Sequence, residues 1–221
     1  MSLSKDSFFY KNSLSLVFLT LFFITLIAQA LTGWHVHNAE LEDHKVASIN
    51  FAEYLNTGHF ISATFENFES EFLQMALYVI LTVGLRQKGS AESKSLDEPE
   101  EVDREPKAGP DAPWPVKKGG LILKLYENSL FITFLLLFFV CWGLHLYGSW
   151  VDHNEDNVLK NQPLDTIGNY LSQSNFWFEA FQNWQSEFLS IASIVIFTIF
   201  LRQKGSPESK PVDAPDSETG K

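Results

Sequence analysis

The sequence predicts an all-α integral membrane protein with four transmembrane helices, arranged as two parallel tandem helical hairpins joined and flanked by a disordered linker and tails. Three observations carry this. The apolar residues stand in blocks: Leu14 to Leu31 is interrupted only by Ser15, Thr20, Thr25 and Gln29, and a run of 18 such residues can cross about 30 Å of hydrocarbon as a helix. The chain repeats itself without a gap at an offset of 116 positions, with 33 of the 83 pairs between residues 12–94 and 128–210 identical. Finally, 14 of the 16 lysines and arginines lie outside the two segments that follow the first and third apolar blocks.

Taken in order, residues 1–11 form a short polar lead. The first copy, 12–94, holds spans at about 14–33 and 60–86. Ala28-Gln29-Ala30 fits the small-x-small pattern of a signal-peptidase site, but the block is longer than a signal core and its counterpart Leu144-His145-Leu146 lacks the pattern, so it reads as a retained span. Trp34 and Trp150 open the loops after the first and third spans, where interfacial aromatic belts lie. Residues 95–127, rich in Glu, Asp, Pro, Lys and Gly, bury too little apolar surface to offset ordering entropy and read as a disordered cytoplasmic linker. The second copy, 128–210, repeats the hairpin with spans at about 129–149 and 176–202, and residues 211–221 form a disordered tail.

Only Lys45 and Lys160 lie in the two loops, so the positive-inside rule puts both termini and the linker in the cytoplasm and gives the hairpins the same orientation. The net charge of −11 offers no basic face for phosphates and excludes nucleic acid as a partner. Cys141 is the one cysteine and reads as a small apolar helix residue.

The shared pattern N-x-x-S-E-F-L puts Asn67, Ser70 and Glu71, and in the second copy Asn183, Ser186 and Glu187, on one face of a helix. Counted from the cytoplasmic helix ends, Gln29 and His145 reach a depth of about 25 Å and Glu71 and Glu187 about 22 Å, so these residues are expected to share one intramembrane polar layer. At the LRQKGS corners, Arg86, Lys88, Arg202 and Lys204 are expected to anchor in lipid headgroups together with Trp34 and Trp150. The external His, Asp and Glu residues around His37 and His153 match no metal-ligand spacing and read as solvated loops. No metal site, cofactor, nucleophile with base or phosphate loop is expected, which argues against an enzyme.

With NSLSLVFL and TGW, EYLNTGHF, FENFESEFLQMA and LRQKGSAESK, the chain resembles a family of small bacterial four-span membrane proteins classed as a domain of unknown function. The resemblance implies the bacterial inner membrane and brings no activity or site residues with it. The leading expectation is a non-enzymatic structural or interaction protein, contacting lipids and an unidentified membrane or periplasmic protein, with a homo-oligomer left open. The alternative is a small transporter or proton- or cation-conducting protein built on Glu71 and Glu187.

Overall fold

Nine α-helices and one 3-10 turn make up residues 7–220, which the computed structural model describes, and no strand occurs among them. Residues 1–6 of the expected lead and Lys221 of the tail lie outside the described residues. The helices are α1 Phe8–Lys11, α2 Ser13–Asp43, α3 Phe51–Tyr54, α4 Gly58–Gly84, α5 Trp114–Lys118, α6 Gly120–Glu127, α7 Ser129–Leu159, α8 Ile167–Leu171 and α9 Ser174–Phe200.

The long apolar helices satisfy their own polar side chains. In α2 the hydroxyls of Thr20, Thr25 and Thr32 donate back to the carbonyls of Leu16 (2.7 Å), Leu21 (2.9 Å) and Ala28 (2.8 Å), so none needs water. Leu14, Phe18, Phe22, Ile24 and Ile27 stay exposed on this helix, as lipid-facing side chains must. Both α2 and α7 run for 31 residues and end on a left-handed residue, Lys45 at φ 61° and Asn161 at φ 55°. Each closes with the same backbone bond, Val46 N–H to Leu41 O and Gln162 N–H to Asn157 O, both 2.8 Å.

Among the described residues, three helices are long and apolar enough to cross a membrane: α2, α7 and α9. The span expected at about 60–86 is present as the 27-residue α4 but is not among them. Its first half carries Glu66, Glu69 and Glu71, which leave too short an apolar stretch before Gly84.

The segments expected to be disordered are folded in part. The linker contains α5, α6 and a 3-10 turn at Glu101–Asp103, where Lys94 pairs with Asp103 and Ser95 N–H donates to Glu100 Oε1 at 2.6 Å. In the tail, Lys210 Nζ is buried and donates to the carbonyls of Pro215 (3.1 Å), Asp216 (3.2 Å) and Glu218 (2.9 Å). Gly89 N–H donates to Thr219 Oγ1 and Gly220 N–H to Ser90 O. These contacts are polar, so a composition argument that weighs only apolar burial does not register them.

The chain divides into two units, residues 1–64 with 146–170 and residues 65–145 with 171–221. In the first, α4 and α7 approach backbone to backbone: a Cβ added at Gly148 would stand 2.5 Å from Ser62 N, and one at Gly58 2.4 Å from Asp152 N. The loops of this unit are tied alike. Trp34 Nε1–H and Asn38 Nδ2–H both donate to Ile49 O (2.8 and 3.0 Å), and Trp150 and Asn154 do the same to Asp165 O at the same distances. In the second unit Phe176 is fully buried, its ring 4.8 Å from that of His145 and 5.9 Å from that of Trp142.

Candidate functional site

Within the unit of residues 65–145 and 171–221, one imidazole collects three carboxylates from two other helices. His145 is the seventeenth residue of α7, deep in an apolar helix, and its side chain is fully buried. Its Nδ1–H donates to Glu69 Oε2 of α4 at 2.7 Å, and Glu69 is equally buried. The other oxygen of Glu69 accepts the indole N–H of Trp184 on α9 at 3.0 Å. A buried carboxylate is tolerable only when its lone pairs are engaged in this way.

The second ring nitrogen is in a different position. Nε2 of His145 is buried without a hydrogen-bond partner, and the nearest acceptors are Glu179 Oε2 at 3.5 Å and Glu66 Oε2 at 3.8 Å. Glu66 is steadied by Asn183, whose Nδ2 donates to Glu66 Oε1 at 3.0 Å. Helical spacing produces the cluster: Glu66 and Glu69 lie one turn apart on α4, as Glu179 and Asn183 do on α9. One ligand atom each from Glu66, His145 and Glu179 falls within 4.8 Å of the others, so these three side chains could hold a metal ion. The arrangement can equally bind a proton between imidazole and carboxylates.

Of the residues expected in a polar layer, His145 and Asn183 belong to this cluster. Glu71 is exposed and Glu187 half-buried, and the carboxylates that meet His145 are instead Glu66, Glu69 and Glu179. Asn67 is exposed, and the Ser70 and Ser186 hydroxyls donate to the carbonyls of Asn67 and Asn183, both at 2.8 Å, satisfying themselves within their own helices. Gln29 lies in the other unit and donates to Thr64 Oγ1 at 3.2 Å.

Among the expected anchors, Lys88 and Lys204 are exposed and Arg86 caps its own helix through Val83 O (3.1 Å) and Leu85 O (2.9 Å). Arg202 is turned to the tail, with Nη2 at 2.9 Å from Ala214 O and 3.1 Å from Asp216 Oδ1. The indole N–H groups of Trp34 and Trp150 are engaged by loop carbonyls while the rings remain half-buried. His153, expected in a solvated loop, lies on α7 instead and bonds Asp165 Oδ2 at 3.0 Å and the amide of Asn157 at 3.1 Å.

Glu66, Glu69 and Glu179 were not legible in the motif that both copies share. A signal does exist in where the copies differ: at the offset of 116, Glu66, Glu69 and His145 align with Gln182, Gln185 and Gln29, and Glu179 with Ala63. Neither curated proteins nor solved structures gave a match to this chain. The family model described as Domain of unknown function (DUF6766) matches residues 5–221, and the chain belongs to that family.

Proposed function

We propose that this is a four-span protein of the bacterial inner membrane, built from two parallel hairpins with cytoplasmic termini, and that it is a small cation- or proton-handling transporter rather than an enzyme. The observation that carries the reading is His145: a fully buried imidazole with one nitrogen bonded to a buried carboxylate and the other left facing two more. Ionisable groups within an apolar helix are costly and stand where a charge is bound or passed. Association of α4 with α7 and α9 buries Glu69 and half-buries Glu66, which supports α4 as the fourth span despite its carboxylates.

The two-copy architecture is supported by coincident geometry. Helix bounds, the left-handed residues 45 and 161, and the bonds from Trp34 and Trp150 all recur at the offset of 116. Reconstitution of the pure protein into liposomes loaded with a pH- or metal-sensitive dye tests the reading: wild-type protein is expected to pass protons or cations under an imposed gradient. Flux no greater than in empty liposomes would contradict it.

A second reading, a structural or interaction protein contacting lipids and a membrane or periplasmic partner, is favoured by the closed part of the network. Glu69 has both oxygens engaged, by His145 and Trp184, and so ties three helices together without any ligand.

A further inference from the structure

We infer that Glu66, His145 and Glu179 form a binding site for a single divalent transition-metal ion, with Glu69 as the positioning residue that aims the imidazole; this deepens the cation-handling reading and rests on it. The bond from Nδ1–H to Glu69 occupies one ring nitrogen and leaves Nε2 as the atom a bound ion would take. Nε2 faces the carboxylates of Glu179 and Glu66, 3.5 and 3.8 Å away, without a hydrogen-bond partner of its own. Two half-buried carboxylates facing one buried ring nitrogen offer a cation a favourable place that it can reach from their side.

The spacing suits a metal ion. Ligand atoms held about 2.1 Å from a tetrahedral centre lie roughly 3.4 Å apart, close to the two distances from Nε2. All three ligand atoms lie within 4.8 Å of one another, so small side-chain rotations complete the set. Carboxylate–imidazole–metal triads are the usual way a ligating histidine is oriented, and Glu69 occupies the carboxylate position. The imidazole favours zinc, manganese or iron over magnesium or calcium, which prefer all-oxygen sites. Charge points the same way. Three carboxylates around a doubly protonated ring sum to −2, whereas a divalent ion in place of the Nε2 proton brings the cluster to −1. Three protein ligands also leave a coordination position open, as an exchangeable ion requires.

The test is metal content of the full-length protein purified in detergent, incubated with Zn2+, Mn2+ or Co2+ and desalted. Wild type is expected to retain about one ion per chain, and the Co2+ form to show a visible absorption band of mixed nitrogen and oxygen coordination. Glu66→Gln with Glu179→Gln should abolish retention, while Glu69→Gln should weaken it ~10–100-fold and shift the Co2+ band. His145→Ala should also lose the ion, and the two glutamine variants keep the test decisive if that protein does not fold. Wild type that retains none of the three metals, or a double variant that binds as wild type does, overturns the site. Proton flux by a protein that retains none of the three metals would overturn the metal site while leaving the transporter reading standing. Stoichiometric metal without any flux would do the reverse.

Discussion

His145 Nδ1 and Glu69 Oε2 stand 2.7 Å apart, and neither side chain is accessible to solvent. The first prediction follows from that pair. Glu69→Gln keeps the shape and a partner for the imidazole, so it should leave a folded protein with altered cation binding. His145→Ala strands a buried carboxylate and should destabilise by about 3–5 kcal/mol, as removal of one partner from a buried pair does. Thermal unfolding in detergent checks both, and equal stability of the two variants would show that the pair is not coupled.

Gly148 and Gly58 give a packing prediction. A methyl group at Gly148 would come within 2.5 Å of Ser62 N and 2.8 Å of Ile61 Cγ2, so backbone must move to admit it. Gly148→Ala should cost about 1–3 kcal/mol. Gly143 on the same helix has nothing within 4 Å of an added Cβ, and Gly143→Ala should be neutral or slightly stabilising. The same unfolding assay, run on both, separates the contact from helix propensity.

In α3, burial pushes the Tyr54 hydroxyl from its ordinary 10.0 up to about 12, with the charges of Asp152 and Glu40 acting in the same direction. Because the folded value is the higher one, the contribution of Tyr54 to stability is whole below pH 10 and is lost as pH rises toward about 12. Absorbance titration at alkaline pH should show late-ionising tyrosine, with one residue fewer in Tyr54→Phe. A titration in which all tyrosines ionise together near 10 would contradict the buried position of Tyr54.

Topology follows from the lysine and arginine asymmetry. Cysteines placed at Ala47 and Ala108, both exposed, should react with an impermeant reagent from opposite sides of the membrane, Ala108 from the cytoplasm. The native Cys141 is buried and should give no background. Labelling of both positions from one side would break the four-span reading.

The helices were legible in the sequence because apolar blocks and the repeat are long-range, redundant signals: α2, α7 and α9 meet the length and hydropathy that a span needs. The fourth helix was legible as a helix, yet its carboxylates belong to contacts that no periodicity reveals. The site was half legible. His145 stands out as an ionisable residue in an apolar helix, but Glu71 and Glu187 drew attention because both copies share them. Glu66, Glu69 and Glu179 are set apart by being charged in one copy and Gln182, Gln185 and Ala63 in the other. The tail escaped detection for another reason: three carbonyls gathered by Lys210 leave no trace in apolar composition.

Flux through reconstituted Glu179→Gln decides whether the His145 centre carries transport. Glu179 is the most exposed of the three carboxylates at His145, its side chain 38% accessible, so folding should tolerate its loss of charge. The account predicts an unfolding temperature within a few degrees of wild type together with proton or cation flux reduced to the level of empty liposomes. Wild-type flux retained by the folded variant would contradict the assignment of the His145 centre to transport.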